Sequence, residues 1–575
     1  MRLCIEYAKR YTPLVLFCLI TKTLASFAEL AIPEILAIII DDAVPTGDMG
    51  RVWALGGLML GFALLTFLLN VISNRSSAKV SGRLARDIRE DLFRKTLSLT
   101  ASDCDRIGTS SLTSRLTSDT YNVSSFFGRL IRMGVRAPIM TIGGVILTLF
   151  IDWRLSLVLI GVLPLIFLVV YKITVKSIPI YKDEQRILDT VVTKVDETAK
   201  GIRVLKALSK EEYEKEQFHK RSNALAEREI EAGSLMAATK PLTDLILNGG
   251  FCLVVLLGYL LSTHYGVSMS GKLLAFMTYF TIILNSMIMM TRTFVQLSRM
   301  TASSVRIREI LDIDTTDTTD ASTASEDSAD SCEGERAYIE FDKVTFSYNK
   351  TNPDISDISF KLHKGQTLGI IGATGSGKTT LISLLLGLYT PDEGNIFIDG
   401  EDISKISPEK RRTLFGVAHQ HDFIPEGDIR GTVGFMRDIS DEKILRAIRT
   451  ARAEEFVLQK DGALDSAVNT GGTNLSGGQK QRLLIARALA GENPIVILDD
   501  SSSALDFKTD SEVRAELLSL RDTTKVIVSQ RISSVMSADL ILVLKEGRID
   551  GIGTHGELLS SCEEYAEIAR VQLGI

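Results

Sequence analysis

Cysteine is scarce in this chain of 575 residues, and the six cysteines that are present are scattered along it. Their spacing has neither the density of a disulfide-stabilised scaffold nor the pairing of a metal site. We therefore expect them to be reduced and structurally incidental. They are Cys4, Cys18, Cys104, Cys252, Cys332 and Cys562.

An excess of positive charge is also missing, because 65 basic residues face 71 acidic ones and the formal net charge is −6. Binding to nucleic acid requires a concentrated basic face, so this balance argues against a nucleic-acid partner. Apolar residues, in contrast, make up 45% of a chain that is still 24% charged. They must therefore be concentrated, and they gather in the N-terminal half. The length also exceeds a single core, which predicts two or more domains.

Six apolar stretches have about the length of 20 residues with which a helix crosses a bilayer. An even number of crossings returns the chain to the side on which it started. The sequence therefore predicts a membrane-embedded α-helical bundle with six transmembrane helices, preceded by a short amphipathic segment over 1–11. The stretches run over 14–40, 52–72, 133–151, 155–173, 242–261 and 273–290.

Basic residues are dense in the connection after the second stretch, where Arg75, Arg83 and Arg86 lie. This excess predicts that the connection is cytoplasmic. The two long connections on that side, about 74–132 and 173–240, lack clusters of proline and glycine except near their midpoints, which is typical of charged helices. We expect the membrane helices to continue well into the cytoplasm.

The composition changes between residues 312 and 336, where the chain is acidic, rich in serine and threonine, and too polar to bury a core. We interpret this segment as a linker. From Tyr338 onward, β-type apolar runs alternate with helical segments, which indicates an α/β domain. The predicted organisation is a transmembrane domain with cytoplasmic helical extensions over 1–311, the linker over 312–336 and the α/β domain over 337–575.

A glycine-rich segment, Gly-Ala-Thr-Gly-Ser-Gly-Lys-Thr, lies between a predicted buried strand over 367–371 and a predicted helix over 378–388. In this position successive backbone N–H groups can surround phosphate oxygens. Lys378 would place its charge on the β- and γ-phosphates, and Thr379 would offer its hydroxyl to Mg²⁺. A short match of this kind can be a mere strand-to-helix turn, but the full pattern in this context predicts a phosphate-binding loop. Its residues are Gly372, Ala373, Thr374, Gly375, Ser376, Gly377, Lys378, Thr379 and Thr380.

Two further motifs follow the loop. A predicted strand over 495–498 ends at Asp499 and Asp500, where a Mg²⁺ ligand and a water-orienting base are needed, although apolar strands that end in acids are common in α/β folds. The other motif is Leu-Ser-Gly-Gly-Gln, which precedes a predicted helix over 480–490. Its last four residues are Ser476, Gly477, Gly478 and Gln479.

The order of phosphate loop, Gln420, Leu-Ser-Gly-Gly-Gln, aspartate-bearing strand and Ser-Ala-Leu-Asp506 resembles the nucleotide-binding domain of ATP-binding cassette (ABC) transporters. The six-span region resembles the exporter branch of that family. The resemblance implies that two such domains hold two ATP molecules between the phosphate loop of one subunit and the signature Leu-Ser-Gly-Gly-Gln of the other.

The same resemblance implies roles for single residues. Tyr348 would stack on adenine, Gln479 would contact the nucleotide with the rest of the signature, and Asp506 would lie at the seam between the two domains. Gln420, together with Thr379 and Asp499, would hold Mg²⁺ and sense the attacking water. Without the resemblance, Tyr348 could equally be an ordinary strand aromatic and Gln420 a solvated loop residue.

The chain departs from this family at two positions of the ATP site. Asp500 stands where hydrolytic subunits have glutamate, and Gln530 stands where they have histidine. Because a general base must reach the proton that it receives, a carboxylate shortened by one methylene predicts weak turnover. Glutamine cannot exchange a proton near neutral pH as imidazole does. Unless both changes are neutral drift, they indicate the degenerate half of a heterodimer, whose intact Ser476, Gly477 and Gly478 complete the catalytic site of a different subunit.

The substrate is weakly encoded. Polar residues in the predicted spans are functional candidates by default, although each can simply bond a neighbouring helix. They are Glu29, Asp244, Asn248 and Asn285. Methionines of the sixth span would suit varied apolar compounds, or only fill gaps. They are Met277, Met287, Met289 and Met290.

The resemblance implies an ATP-driven exporter of amphipathic small molecules, including drugs, or of peptides, in a bacterial inner membrane. The alternatives are a lipid or metabolite transporter on the same fold and an ATP-gated channel or regulatory subunit. Coupling helices are expected near 101–109 and 206–214, unless these segments are only solvated helical hairpins.

Overall fold

The computed structural model describes residues 2–265, 270–313, 337–420, 422–501 and 503–574. Its contacts divide the chain into two compact units. The first comprises Met1–Leu97 and Thr109–Ile313, and the second comprises Ser98–Gly108 and Asp314–Ile575. The sequence assigns 98–108 to the first domain, whereas the structure groups this segment with the second unit. From residue 314 onward the proposed linker, with Cys332, lies outside the described residues.

The N-terminal part of the chain is helical throughout. Its helices are α1 (Arg2–Lys9), α2 (Thr12–Ile38), α3 (Met49–Leu97), α4 (Ala101–Ile107), α5 (Thr109–Ser114), α6 (Thr120–Ile151), α7 (Trp153–Ala207), α8 (Glu211–Ala237), α9 (Thr239–Tyr265) and α10 (Ser270–Leu311), with π-helical turns at Ile39–Ala43 and Arg115–Asp119. Of these, α4 belongs to the second unit.

Six helical segments of the described residues are long and apolar enough to cross a membrane, so the prediction of six spans is confirmed. The apolar window of α3 has none of its residues buried inside the protein, as expected of a face that meets lipid. With 49 residues, α3 is about 70 Å long, and the 55 residues of α7 extend about 80 Å. Both lengths far exceed the ~30 Å of a bilayer core, so these helices continue beyond it.

Interior packing of the membrane unit comes from α2, α6 and α10. Leu30, Met140 and Tyr279 are fully buried against one another, and the Tyr279 hydroxyl donates a hydrogen bond to the Leu30 carbonyl oxygen over 2.6 Å. The acceptor lies in the turn before Pro33 of α2, so this bond links α10 to α2. The three helices are therefore held together by apolar packing and by a buried hydrogen bond.

The two segments expected to be coupling helices differ in structure. The first corresponds to α4, whose N-terminus is capped by the Thr100 hydroxyl, which accepts a hydrogen bond from the Asp103 N–H over 3.1 Å. The second is not a separate helix. Over 206–214, α7 ends at Ala207, three residues turn, and α8 begins at Glu211. An acidic first turn at Glu211 and Glu212 favours the start of a long helix there.

The C-terminal part of the second unit mixes strands and helices, and the predicted fold class of helical membrane bundle plus α/β domain is confirmed. Its strands are β1 (Ile339–Phe346), β2 (Ile355–Leu362), β3 (Thr367–Gly372), β4 (Glu393–Ile398), β5 (Glu401–Asp402), β6 (Phe415–Ala418), β7 (Gly427–Asp428), β8 (Ala467–Val468), β9 (Ile495–Asp499), β10 (Thr524–Val528), β11 (Leu540–Lys545) and β12 (Arg548–Gly553). Its helices are α11 (Lys378–Leu385), α12 (Pro408–Leu414), α13 (Ile429–Gly434), α14 (Asp441–Thr450), α15 (Glu454–Leu458), α16 (Gly477–Leu489), α17 (Phe507–Ser519), α18 (Ile532–Val535), α19 (His555–Ser561) and α20 (Glu563–Leu573).

The main sheet of the described residues has the order β12-β11-β3-β10-β9-β6, in which β12 is antiparallel and the other neighbours are parallel. Both β3 and β9 are buried along their whole length, which explains why the sequence shows them as uninterrupted apolar runs. A second sheet, β2-β1-β4-β5, is antiparallel, and Phe341 stacks on Phe360 across it at 4.7 Å. The parallel order brings several strand ends to one edge.

Candidate functional site

A cleft lies at the carboxyl edge of the main sheet. Val528 of β10 pairs with Ile370 of β3 on one side and with Asp499 of β9 on the other. Because these strands are parallel, the residues that follow each of them emerge at the same edge. The phosphate loop follows β3, Asp500 follows β9, and Gln530 comes two residues after β10. The strand order of the sheet therefore brings together residues that are far apart in the sequence. Gly372 and Gln530, for example, are separated by 158 positions.

The phosphate loop has the backbone that its sequence predicts. Gly377 caps α11 with φ +97°, and a Cβ there would lie 2.7 Å from the Ile355 side chain. Only glycine suits this position, because it combines a left-handed backbone with a close approach. The loop is thus shaped so that backbone N–H groups at the start of α11 face the cleft.

Lys378 is the cation of this loop. Its Nζ donates hydrogen bonds to the carbonyl oxygens of Gly372 over 3.0 Å and Ala373 over 2.7 Å. Burial lowers the pKa of Lys378, while the charges of Asp499 and Asp500 act in the opposite direction. The amine is therefore held near both carboxylates in a partly desolvated place. Among the described residues, the buried Ser376 hydroxyl has no hydrogen-bond partner.

Two adjacent carboxylates face the loop. Asp499 is 3% exposed, and burial raises its pKa above the ordinary value. Burial also raises the pKa of Asp500, against the charges of Arg531 and Lys378 and a hydrogen bond from Gln420. That bond runs from Gln420 Nε2 to Asp500 Oδ2 over 3.1 Å. Asp500 has φ +45°, a strained conformation for a residue with a Cβ, of the kind that clusters at functional sites.

These elements enclose a cleft of about 270 Å³. Loop N–H groups and Lys378 offer donors to phosphate oxygens, and Thr379, Asp499 and Gln420 offer the oxygen ligands that Mg²⁺ prefers. The orphaned Ser376 hydroxyl and the carboxylates across from the loop fit a nucleotide with its metal. The lining residues are Asp354, Thr374, Gly375, Gly377, Lys378, Thr379, Thr380, Gln420, Asp499, Asp500, Val528, Ser529 and Gln530.

The signature residues lie elsewhere in this unit. Ser476 caps α16 by accepting a hydrogen bond from the Gln479 N–H, and the Gln479 side chain accepts one from the Ser476 N–H over 3.1 Å. Gly477 and Gly478 form the first turn, and Ser476 and Gly477 are exposed. None of the four is in the described lining of the cleft. The helix thus presents an open, capped N-terminus, while the Gln479 side chain is used within the cap.

Tyr348 lies beside the cleft. Its ring is 44% exposed and packs edge-on against Phe346 at 5.0 Å and Tyr389 at 5.1 Å. Its backbone N–H donates to Asp354 Oδ2 over 2.9 Å. Asp354 also lines the cleft and was missed by sequence reasoning, because it precedes β2 without any motif. An exposed aromatic face next to the loop suits a flat base.

Asp506 caps α17 by accepting hydrogen bonds from the Thr509 N–H over 2.9 Å and the Thr509 hydroxyl over 2.8 Å. The first of these bonds is the main reason why the pKa of Asp506 lies below its ordinary value. Asp506 does not line the cleft of its own domain within the described residues.

The polar candidates of the membrane unit fall into two groups. Glu29 forms an ion pair with Arg136 of α6 over 2.7 Å, and Asp244 pairs with Lys240 of its own helix over 3.0 Å. Both line a cavity of about 760 Å³ together with Asn285 and Met289. The others, Asn248, Met277, Met287 and Met290, are not in the described lining of that cavity.

Comparison with known proteins agrees with this geometry. Residues 15–287 match the family model of the ABC transporter transmembrane region, and residues 355–503 match that of the ABC transporter. The uncharacterized ABC transporter ATP-binding protein YfiB of Bacillus subtilis is 32% identical over 576 residues, which cover 100% of this chain and 99% of that protein.

Similar relatives come from other bacteria. An uncharacterized ABC transporter ATP-binding protein of Mycobacterium tuberculosis is 31% identical over 99% of this chain and 97% of its own length. An ATP-dependent lipid A-core flippase of Albidiferax ferrireducens is 26% identical over 99% of this chain and 97% of its own length. A solved structure of a bacterial Atm1-family ABC exporter with ATP bound has a TM-score of 0.76 at 22% identity and covers 98% of each chain, which shows a shared fold.

Proposed function

Because this chain belongs to the ABC transporter family and has the exporter fold with six membrane spans, we propose that it is one half of a heterodimeric ATP-driven exporter. It is a multi-pass integral membrane protein, as the sequence predicts, and its family drives transport with ATP. The proposal adds three things: a second, non-identical half-transporter as partner, unequal ATP sites, and an amphipathic small molecule or a peptide as the exported substrate.

The observation that carries the proposal is the pair of side chains across from the phosphate loop. Asp500 is one methylene short for a base that must reach the attacking water, and its Oδ2 accepts a hydrogen bond from Gln420. Gln530, which lines the same cleft, offers an amide instead of imidazole. Binding groups are present and proton-exchanging groups are weakened, so this cleft would hold ATP without rapid hydrolysis.

Hydrolysis would occur at the composite site with the partner. There this chain supplies the exposed N-terminus of α16, with the Ser476 hydroxyl and the N–H groups of Gly477 and Gly478. These donors and the helix dipole stabilise negative charge on a γ-phosphate. Mg²⁺, when bound, neutralises phosphate charge. Binding of ATP would bring the two nucleotide-binding domains together, and hydrolysis at one site would allow them to separate again.

Two substitutions in this chain test the asymmetry in the assembled pair. Ser476→Arg blocks the edge offered to the partner and is expected to abolish most ATP hydrolysis. Lys378→Ala weakens ATP binding in this chain's own cleft and is expected to leave more than half of the hydrolysis. Equal losses from both variants would contradict unequal sites. Purified alone in lipid, the chain is expected to hydrolyse ATP at about a tenth or less of the pair's rate, and brisk turnover alone would refute the pairing.

A second candidate is a lipid transporter. It is favoured by the relative named as a lipid A-core flippase, which matches over nearly the full length of both chains. Stimulation of ATP hydrolysis by the assembled pair separates the two candidates. Stimulation by bilayer lipids alone supports lipid transport, and stimulation only by added drugs or peptides supports the first candidate.

A further inference from the structure

A second cavity of the membrane unit has a strongly cationic wall. It holds about 700 Å³ between α2, α3 and α6, and its wall carries Lys22, Arg132 and Arg136. Glu29 is the only carboxylate in its described lining. The wall therefore has two cations in excess, inside a unit made of membrane-spanning helices.

The excess charge can be assigned to two residues. Glu29 pairs with Arg136 through both of its oxygens, at 2.7 and 3.3 Å. Lys22 Nζ instead donates to the amide oxygen of Asn70 over 2.6 Å, and Arg132 Nη1 donates to the Ser77 hydroxyl over 3.4 Å. Both acceptors are uncharged, and within the described part of the chain neither cation has a carboxylate partner. Among the described residues, Lys22 and Arg132 thus form no ion pair.

The position of Lys22 within a membrane-spanning helix makes a charge without an ion pair energetically unfavourable. Lys22 lies ten residues after the start of α2, about 15 Å along the helix, and is 3% exposed. Charged groups within a membrane segment are expensive unless they are paired or face a polar cavity, and they mark functional sites by default. Retaining two unpaired cations on one cavity wall is most simply explained by an anion that enters the cavity and offsets their charge.

A second cavity adjoins the cationic one. The 760 Å³ cavity shares Glu29, Met133 and Arg136 with the cationic one, so the two meet at the Glu29–Arg136 pair. Much of its wall is apolar. Its apolar lining residues include Val170, Leu247, Ile282, Leu284, Ile288 and Met289. A cationic pocket that opens beside an apolar one fits a molecule with an acidic head and an apolar tail.

We propose that the joined cavities bind an anionic amphiphile, with a phosphate or carboxylate headgroup between Lys22 and Arg132 and its apolar tail along the neighbouring wall. Asn70 and Thr66 line the same pocket and are placed to complete the hydrogen bonds of the headgroup oxygens. The proposal rests on the export function proposed above and deepens it, because it names the class of substrate. Lys22 and Arg132 are binding residues in this scheme, and the Glu29–Arg136 pair positions the wall.

The test measures binding to the full chain without nucleotide, in nanodiscs of phosphatidylcholine. The probes are dodecyl phosphate, the uncharged dodecanol of equal chain length, and phosphatidylglycerol. Lys22→Gln and Arg132→Gln are each expected to weaken binding of dodecyl phosphate about tenfold and to leave binding of dodecanol unchanged. Lys22→Arg, which keeps the charge, is expected to stay within about twofold of the wild type. The matched control is Lys172→Gln, which removes an exposed cation of α7 outside both cavities.

The outcomes are distinguishable. If phosphatidylglycerol binds with the same dependence on Lys22, the headgroup belongs to a bilayer lipid, and if only dodecyl phosphate does so, it belongs to a free amphiphile; either supports the proposal. Equal binding of dodecyl phosphate and dodecanol would overturn it, as would wild-type affinity in both variants. If Lys22→Gln fails to fold, Arg132→Gln decides, because Arg132 is only half-buried. The chain is free of nucleotide here, so failure leaves the unequal ATP sites untouched.

Discussion

Gln420 Nε2 donates a hydrogen bond to Asp500 Oδ2 over 3.1 Å, which ties a residue two positions after β6 to the residue directly after β9. Asp500 thereby satisfies one of its oxygens within the protein. Its carboxylate carbon is one methylene nearer the backbone than that of glutamate. In the proposed degenerate site, this bond and the missing methylene would together keep the carboxylate from the water that a general base has to reach.

Restoring both altered side chains is expected to create an active site. We predict that Asp500→Glu combined with Gln530→His raises ATP hydrolysis by the chain purified alone roughly 10²-fold, the usual contribution of a positioned general base. The signature edge at Ser476 is intact, so two copies of the double variant would supply complete sites to each other. Turnover in lipid, measured by phosphate release, checks this.

The control for that experiment adds Ser476→Arg to the double variant, which is expected to return hydrolysis to the wild-type rate. A double variant that binds ATP normally but remains as slow as the wild type would show that Asp500 and Gln530 do not limit the reaction.

The ionised Asp499 side chain is expected to lower the stability of the nucleotide-free chain and to serve as a ligand when Mg²⁺ binds. Burial raises its pKa above the ordinary 3.8, so the folded state disfavours the ionised form that is required at neutral pH. A raised folded-state pKa means that this group favours folding below that pKa and that the benefit is lost as pH rises through it. Asp499→Asn removes the cost, and we expect the melting temperature of the nucleotide-free chain to rise by roughly 2 °C or more.

The same variant loses a Mg²⁺ ligand, so the further rise in melting temperature on adding ATP with Mg²⁺ is expected to shrink. Differential scanning fluorimetry of the full chain with and without MgATP measures both effects. A variant that is less stable than the wild type without nucleotide would contradict the first expectation. Full stabilisation by MgATP would contradict the second.

Much of this architecture follows from local sequence. Apolar runs of bilayer length predict the six spans, because a membrane imposes that length. The loop from Gly372 to Thr379 predicts strand, turn and helix, because its glycines need a left-handed backbone at Gly377. These features depend on neighbours in the chain. The strand and the helix beside the loop end within three residues of their predicted bounds, and each predicted span lies inside a longer helical segment.

Features made by distant residues were not predictable in this way. Asp354 lines the cleft only because the antiparallel sheet folds it against the phosphate loop. The cationic wall depends on α2 lying beside α6, which places Lys22 and Arg132 in one cavity, and no local pattern in the sequence indicates that pairing. Similarly, the sequence predicts a coupling helix near 206–214, but all of this segment except residues 208–210 belongs to the long helices α7 and α8.

Tyr389 connects the nucleotide-binding fold to α4, since its hydroxyl donates a hydrogen bond to Asp105 and its ring packs edge-on against Tyr348. Burial, and then this hydrogen bond, raise the pKa of Tyr389, so the hydroxyl remains a donor at neutral pH. Tyr389→Phe keeps the ring and removes the bond. We expect ATP affinity to stay within about twofold, while substrate stimulation of hydrolysis by the assembled pair falls, because a hydrogen bond to a charged group contributes about 1 kcal/mol or more.

The matched control is Asp103→Asn, which breaks the pair between Asp103 and Arg106 within α4, at 2.9 Å, but leaves Tyr389 untouched. Stimulation is expected to survive in this variant. If both variants behave alike, the effect arises from the stability of α4 and not from its bond to Tyr389.

Asp119 fastens the start of α6 to α10. It is 2% exposed and accepts hydrogen bonds from the Ser303 hydroxyl and from Nε of Arg306, each over 2.8 Å, with a further bond from Arg306 Nη2. Asp119→Ala leaves these donors without an acceptor. Because Arg306 is about half exposed, water compensates part of the loss, and we expect a destabilisation of about 1–2 kcal/mol. The exposed pair of Arg308 with Glu6, at 3.2 Å, provides the comparison, since Arg308→Gln is expected to cost less than about 0.5 kcal/mol. Melting temperatures of the two full-length variants in the same detergent check this, and equal losses would mean that burial of Asp119 adds nothing to the attachment of the two helices.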